Sequence, residues 1–179
     1  DVAVFDFKSL YPSIIRTFKI DPFSRLKSDI DYLRLPNGVK FSRTQHFLPQ
    51  IIEMLLEKRA IAKEQGNKSL NLATKILMNS FYGVMGSLRC RFYHSDLPSA
   101  ITETGHWILK QSIEFFENRN LEVLYGDTDS LFVKIPESNK KVDFANNVAS
   151  DLNTYLTQMI KDEFQLESFL ELEFEKLYS

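Results

Sequence analysis

The chain is poor in the residue types that cross-link a protein or bind soft metals. It contains a single cysteine, Cys90. Its three histidines lie in unrelated segments without the spacing of metal ligands: His46, His94 and His106. An internal disulfide and a thiolate-bound metal are therefore excluded, and a reducing compartment is favoured. Any metal bound by this chain should be a hard cation held by carboxylates.

Long apolar runs are also missing. No stretch approaches the roughly 20 apolar residues needed to span a bilayer, and no signal-peptide pattern opens the chain. We therefore expect a cytoplasmic protein with no membrane partner. The first residue is Asp1 rather than Met, and residues 174–179 lie within a strand-like run. From these two ends we expect the 179 residues to be part of a longer polypeptide.

Positive charge is concentrated in the middle of the chain, although the net charge is −2. Residues 58–91 contain seven Lys or Arg and one acid, whereas residues 137–179 contain nine acids and four bases. A basic segment of this kind is suited to a polyanion such as a nucleotide or nucleic acid. A solvated helix surface would show the same pattern, so charge alone leaves both interpretations open.

Hydrophobic periodicity predicts six elements in the order β-α-β-β-α-β. They are expected at residues 2–7, 98–117, 121–125, 130–135, 142–164 and 169–178. Two further helices, over residues 49–65 and 69–82, are separated by Gly66-Asn67 and should form an antiparallel hairpin. The predicted fold is therefore α+β: a ferredoxin-like (split βαβ) unit with a helical hairpin inserted after its first strand.

Three aspartates are predicted to converge at one edge of this sheet. Asp6 lies at the end of the first strand, and Asp127 and Asp129 lie at the tip of the β-hairpin. Residues i and i+2 of an extended chain point the same way, so Asp127 and Asp129 should face one point. Such carboxylates repel one another unless divalent cations bind, and two Mg²⁺ ions about 3.5–4 Å apart suit phosphoryl chemistry. The alternative is that aspartates in a turn only cap backbone donors.

The segment after Asp6 is suited to a triphosphate. In a tight turn, the backbone N–H groups of Ser9, Leu10 and Tyr11 would form an anion-binding nest. The Tyr11 ring would then lie beneath a sugar, where its volume can exclude a 2′-hydroxyl. For Tyr11 alone, a core aromatic is the alternative.

The helical hairpin supplies cations for the same ligand. Arg59 and Lys63 share one helix face, and Lys75 and Asn79 share another, because each pair is spaced i, i+4. With the turn placed near Asn67, Arg59 and Lys75 are each eight residues from it, roughly 12 Å along the helices. Two cations at one level predict a phosphate clamp, and solvated helix charge is the alternative.

Tyr82 and Gly83 are expected to close the second helix of the hairpin. An aromatic ring followed by glycine can pack on a base pair and let the backbone approach it. Hydrophobic termination of the helix is the alternative for both residues.

Three segments together resemble the signatures of B-family DNA polymerases. They are DFKSLYPSII at residues 6–15, KILMNSFYG at residues 75–83 and YGDTDS at residues 125–130. Their order and separation match the family as well. The short hairpin and the run Cys90-Arg91-Phe92 look closest to a bacterial member.

The resemblance implies a palm formed by residues 1–47 and 87–179, and fingers formed by residues 48–86. It also implies catalysis by Asp6, Asp127 and Asp129 with two Mg²⁺ ions, for which Mn²⁺ can substitute. In such a site Asp6 and Asp129 bridge both metals, and the Phe7 carbonyl is a further ligand. Glu173 or Glu175 resembles an additional acid near the metals, with the choice between them open.

The remaining implications concern the substrates. Four hairpin residues would hold the incoming dNTP: Arg59, Lys63, Lys75 and Asn79. Tyr11 would be the sugar gate, and Tyr82 and Gly83 would contact the base pair and template. The implied partners are primer–template DNA, dNTP and, through the full-length protein, a sliding clamp at the bacterial nucleoid. The 179 residues alone are expected to be inactive, because the family's later DNA-gripping segments are absent.

Two other functions remain as alternatives. A nucleotidyl cyclase can use a similar fold and paired acids, but would not need the helix from Lys75 to Tyr82. A non-catalytic nucleic-acid binding module would not need Asp6, Asp127 and Asp129 together.

Overall fold

A computed structural model describes residues 1–27, 30–137 and 139–178. The strands are Val2–Phe7 (β1), Tyr32–Arg34 (β2), Lys40–Ser42 (β3), Val123–Asp127 (β4), Ser130–Lys134 (β5) and Leu172–Tyr178 (β6). The helices are Leu10–Phe18 (α1), Pro22–Leu26 (α2), Leu48–Glu64 (α3), Lys68–Met85 (α4), Asp96–Glu117 (α5) and Lys141–Phe164 (α6). Ser179, the last residue of the expected terminal run, lies outside the described residues. The chain divides into two compact units, residues 1–10 with 105–179 and residues 11–104.

The first unit is built on a four-stranded sheet in the order β4-β5-β1-β6. All three neighbouring pairs are antiparallel, and β1 lies between β5 and β6. Phe5 of β1 is fully buried, and its ring packs 5.1 Å from Phe116 and 6.2 Å from Phe174. A central strand that is apolar on its buried face thus holds Asp6 in a fixed register between two neighbours.

The long helix α6 is joined to strand β6 by a reciprocal pair of hydrogen bonds. The Asn153 side chain donates Nδ2–H to the Leu172 carbonyl and accepts from the Leu172 N–H, both at 2.8 Å. On the same helix, Leu152, Leu156 and Ile160 are buried. These contacts fix the start of an edge strand whose backbone groups would otherwise be unpaired.

The α+β class is confirmed, and the differences from prediction are local. Segment 10–18, for which no element was predicted, is the helix α1. Helix α2 and the small β2–β3 sheet were not anticipated. Strand β4 extends to Asp127 rather than ending at residue 125, because Gly126 and Asp127 pair with Leu131 and Ser130. None of the helices in the described part of the chain is both long and apolar enough to cross a bilayer.

In the second unit, α3 and α4 form the expected helical hairpin. Gly66 has a φ of +66°, a left-handed conformation that favours glycine. Asn67 follows it and caps α4 by accepting the Leu70 N–H at 3.0 Å. The connection is therefore short and specified by two residues suited to a helix stop and a helix start.

Asp21 organises the chain around the first helix of this hairpin. Its carboxylate is buried and accepts three backbone N–H groups: Ser24 at 2.8 Å, Phe47 at 3.1 Å and Leu48 at 2.7 Å. One side chain therefore caps α2 and also binds the backbone at the start of α3. In the sequence, Asp21 is only a polar residue before a proline. Its contact with the backbone of Phe47, 26 residues away, could not be predicted from local spacing.

Replacing Asp21 with alanine should lower the free energy of unfolding by about 2–4 kcal/mol, because buried N–H groups at two helix starts lose their acceptor. Urea denaturation of the 179-residue chain, followed by circular dichroism, measures this. Asp21→Asn retains one acceptor oxygen and should cost less. Alanine at Asp151, an exposed aspartate of α6, is the matched control and should change stability little. Equal stability of the two alanine variants would contradict the dual-cap role.

Candidate functional site

Asp6 lies in the middle of the sheet near the end of β1. Its cross-strand partners are Ser130 on β5 and Glu173 on β6. The Ser130 hydroxyl donates to Asp6 Oδ1 at 2.7 Å, which fixes the orientation of the carboxylate. Asp6 is half-buried, so its charge is only partly screened by water.

The β4–β5 turn brings Asp129 next to β1. Asp127 is the last residue of β4, and Thr128 has a φ of +46°. The Asp129 carbonyl accepts the Phe7 N–H at 2.8 Å, which extends the β1–β5 pairing into the turn. The expected i, i+2 alternation of Asp127 and Asp129 does not apply here, because the backbone between them is not extended. Backbone pairing to β1 positions Asp129 instead.

Asp129 responds electrostatically to burial and to the other two aspartates. The pKa of Asp129 is raised above its usual range, first by burial and then by the charge of Asp6, with a smaller contribution from Asp127. Asp127 itself is exposed. Across residues 1–27, 30–137 and 139–178, no three Asp, Glu, His or Cys side chains are close enough together to form a preformed metal site. The structure thus brings Asp6 and Asp129 close enough to interact, whereas the side chain of Asp127 is exposed to solvent.

A lysine next to the end of β1 binds two glutamates at β6. Lys8 Nζ contacts Glu171 Oε1 at 2.7 Å and Glu173 Oε2 at 2.9 Å. Its backbone N–H also donates to the Glu171 carbonyl at 2.8 Å. The pKa of Lys8 is raised chiefly by its hydrogen bonds to Glu171 and Glu173. Lys8 is therefore held to β6 by both its backbone and its ammonium group.

The register of β6 separates the two glutamates that the sequence could not distinguish. Glu173 is directly opposite Asp6, and side chains of directly opposed residues lie on the same face. The ladder then shifts between Val4 and Phe5, whose partners are Lys176 and Phe174, so the shift skips Glu175. Glu173 is therefore the glutamate beside Asp6.

The segment after β1 makes the expected tight turn. Ser9 has a φ of +49°, which is unusual for a residue other than glycine. Helix α1 begins at the next residue, Leu10. A left-handed residue followed by a helix start aligns successive N–H groups in the way an anion-binding nest requires. The nest for Ser9, Leu10 and Tyr11 stays a prediction, and the backbone here is compatible with it.

In the second unit, Tyr11 contacts a residue that was also singled out in the sequence. The rings of Tyr11 and Tyr82 are 4.9 Å apart, tilted by 44°, and both side chains are half-buried. Tyr11 is therefore packed on one side without being enclosed in the core.

One cation of the predicted phosphate clamp has a partner on the neighbouring helix. Arg59 Nε of α3 donates to Asn71 Oδ1 of α4 at 2.9 Å. Because α3 ends at Glu64 and α4 begins at Lys68, the connection is centred on Gly66, one residue before the expected position. The clamp formed by Arg59 and Lys75 stays a prediction. Lys63, Lys75 and Asn79 are exposed.

Gly83 lies inside α4 rather than ending it. The helix continues to Met85, with Gly86 as its C-cap. A methyl group added at Gly83 would meet no heavy atom within 4 Å. Glycine inside a helix costs about 1 kcal/mol relative to alanine, and the chain's own packing offers no reason for it. Tyr82 precedes it in the same turn.

Sequence reasoning missed three residues around Asp6. Lys8 and Ser130 lie within two of the three motifs but were given no role, and Glu171 was only part of the strand predicted over residues 169–178. Lys8 is two residues from Asp6, so its position on the same side of an extended strand was available as a signal. Its partners on β6, more than 160 residues away, were not.

Comparison with known proteins assigns the chain to a family. The model described as DNA polymerase family B matches residues 1–179. DNA polymerase II of Escherichia coli (strain K12) is 41% identical over 182 residues, which cover 97% of this chain and 23% of that protein. The DNA polymerase alpha catalytic subunit of Arabidopsis thaliana is 38% identical over 143 residues, which cover 74% of this chain and 9% of that protein.

A solved structure agrees with the sequence matches. The family B DNA polymerase from the hyperthermophilic archaeon Pyrobaculum calidifontis superposes with a TM-score of 0.66 at 26% identity, over 98% of this chain and 23% of that one. The fold thus belongs to a nucleic-acid polymerase class. The chain is a member of DNA polymerase family B, which confirms the resemblance drawn from its three motifs. It spans 23% or less of the length of these relatives.

Proposed function

We propose that the chain is the catalytic core of a template-directed DNA polymerase, which transfers a nucleotide from a dNTP to a primer 3′-hydroxyl. The observation that carries this proposal is the pairing of Asp6 with the β4–β5 turn, within a chain that matches family B over its whole length. The strand order β4-β5-β1-β6 supports a ferredoxin-like palm from residues 1–47 and 87–179. The α3–α4 hairpin within residues 48–86 would be the fingers.

The carboxylates fit a site for hard divalent cations. Their oxygens are the ligands that Mg²⁺ and Mn²⁺ prefer, and the pKa of Asp129 is raised by burial and then by the negative charge of Asp6, which a bound cation would offset. Asp6 and Asp129 would hold both ions, with Asp127 and the Phe7 carbonyl as further ligands. When bound, two such ions activate the attacking hydroxyl and neutralise charge on the phosphoryl group.

The chain's own residues would position this site. The hydroxyl of Ser130 holds one oxygen of Asp6, so the carboxylate keeps one orientation. The bond from the Phe7 N–H to the Asp129 carbonyl keeps the hairpin tip beside β1. Catalysis of this kind depends mainly on positioning and electrostatics, which rigid strands supply well.

Nucleotide recognition is proposed for the second set of residues. Arg59, Lys63, Lys75 and Asn79 would bind the triphosphate, and the nest at Ser9, Leu10 and Tyr11 would bind its tail. Arg59 on α3 and Lys75 on α4 would contact the triphosphate from the two helices of the hairpin.

The surroundings of Tyr11 and Gly83 support two further roles. Tyr11, backed by the ring of Tyr82, would exclude a ribose 2′-hydroxyl. The open space at Gly83 would let a base pair or template approach the helix. The proposed partners are therefore primer–template DNA and dNTP, and in the longer protein a sliding clamp, at the bacterial nucleoid in the cytoplasm.

Primer extension tests the proposal. The complete protein should extend a labelled primer on its template with dNTPs and Mg²⁺, and EDTA should stop extension. The 179 residues alone should bind Mn²⁺ weakly but not extend the primer, because DNA affinity comes mostly from phosphate contacts and this chain spans a quarter or less of its relatives. Cyclic product from ATP or GTP alone would favour the cyclase, and a complete protein that binds DNA without extension would favour the binding module.

A further inference from the structure

The acidic face beside Asp6 contains more carboxylates than the proposed metal site uses. Glu173 is directly opposite Asp6 in the β1–β6 ladder, and Glu171 lies two residues earlier on the same side of the chain. Carbon-β atoms of opposed residues are about 4.5–5.5 Å apart. The Glu173 carboxylate is therefore close enough to join a cation held by Asp6 unless something else holds it.

Lys8 provides that restraint. Its ammonium group lies between Glu171 Oε1 and Glu173 Oε2, at 2.7 and 2.9 Å. Its backbone is bonded to the Glu171 carbonyl, so the base of the side chain is fixed relative to β6. The Lys8 and Glu173 side chains are 44% and 46% exposed, so the ion pair between them is weakened by solvent. Such an ion pair can favour the Glu173 conformation that contacts Lys8, and one substitution is enough to remove it.

We propose that Lys8 is a positioning residue that withholds Glu173 from the cation site at Asp6 and so limits the number of carboxylates bound to the metal. The inference rests on the proposed function, because it assumes that Asp6 binds a divalent cation. The expected consequence of removing Lys8 is an increase in metal affinity. Removing Lys8 should free a further anionic ligand and strengthen metal binding, whereas simple structural damage would weaken it.

Titration of the complete protein with Mn²⁺ alone, without DNA or nucleotide, tests the inference by the electron paramagnetic resonance signal of free Mn²⁺. Lys8→Met should bind Mn²⁺ about three- to fivefold more tightly than wild type, the equivalent of losing the one exposed bridge that holds Glu173. Lys8→Arg keeps the charge and should match wild type. Glu173→Gln should bind no more tightly than wild type, and Lys8→Met combined with Glu173→Gln should lose the gain.

The matched control is Lys134→Met, which removes a lysine from an exposed pair with Glu122 on the same sheet, at 3.2 Å. It changes the net charge equally and should leave Mn²⁺ affinity within about twofold, because charges beyond a Debye length of about 8–10 Å are screened. An equal gain in Lys134→Met and Lys8→Met would overturn the inference, since net charge alone would explain both. Unchanged or weaker binding by Lys8→Met would overturn it as well, as would a gain that persists without the Glu173 carboxylate.

Asp6→Asn separates this inference from the proposed function. If Asp6→Asn binds Mn²⁺ as tightly as wild type, the metal site itself is wrong. If Asp6→Asn loses the binding while Lys8→Met has no effect, only the role of Lys8 is wrong.

Discussion

Replacing Asp6 or Asp129 with asparagine in the complete protein is expected to reduce nucleotide addition by about a thousandfold or more. Each change removes a charged ligand from the proposed metal site, and a loss of roughly 4 kcal/mol of transition-state stabilisation corresponds to that factor. DNA binding should be largely retained, because phosphate contacts elsewhere supply most of the affinity. Single-nucleotide addition under saturating DNA and dNTP measures the rate, and a gel-shift assay measures binding.

Asp151→Asn is the matched control, since it neutralises an exposed aspartate of α6. It should leave the rate unchanged. A variant of Asp6 or Asp129 that keeps a tenth of the wild-type rate with Mg²⁺ would rule out the assignment. Asp127 is exposed at the rim, so Asp127→Asn should be less damaging than either.

The same Asp129 variant should be more stable than wild type when metal is removed. Burial and the charge of Asp6 raise the pKa of Asp129, so the folded state binds its proton more tightly than the unfolded state. The ionised carboxylate therefore costs stability at neutral pH, and the cost disappears as the pH falls below the ordinary carboxylate range. In EDTA, Asp129→Asn should melt at a higher temperature than wild type at pH 7.5, with a difference that shrinks towards pH 3.5.

Replacing Tyr11 with alanine is expected to raise the use of ribonucleotides relative to deoxyribonucleotides by about ten- to a hundredfold. Forcing extra atoms into a packed site costs about 1–3 kcal/mol. Removing the ring should therefore lower the discrimination against ribonucleotides by about that amount. The ratio of kcat/KM for a ribonucleotide and its deoxyribonucleotide measures the effect. The change should come from better ribonucleotide use rather than from loss of deoxyribonucleotide use.

Two variants separate exclusion by the ring from general damage. Tyr11→Phe keeps the ring and loses only the hydroxyl, so it should discriminate as wild type does. Tyr82→Ala removes the ring that lies 4.9 Å from Tyr11 and should relax discrimination partly, because Tyr11 loses its support on one side. An unchanged ratio in Tyr11→Ala would mean that Tyr11 serves only packing.

Much of the fold could be predicted because its signals are local. The apolar run before Asp6, the alternation in residues 169–178 and the glycine between two helical patterns each depend on neighbouring residues. They correctly predicted β1, β6 and the α3–α4 hairpin. Helix α2 was missed because five residues are too few for a periodic signal.

Errors arose where a residue's direction depended on one backbone angle. The left-handed conformation of Thr128 broke the alternation assumed for Asp127 and Asp129. The connection between α3 and α4 is centred on Gly66, one residue earlier than expected, because α3 ends at Glu64 and α4 begins at Lys68. A shift of one residue turns a helical side chain by about 100° around the helix axis.

The sequence by itself determined the family, the acidic residues, the β-α-β-β-α-β order of the sheet unit and the helical hairpin, because these depend on residue type and on short-range spacing. Only the tertiary structure decided that Glu173 rather than Glu175 lies beside Asp6, since a register shift in β6 cannot be inferred from composition. It also revealed that Lys8 bridges Glu171 and Glu173, and that Asp21 serves two helices. Such contacts join segments far apart in the chain, so their partners are set by how strands and helices pack and not by any local preference.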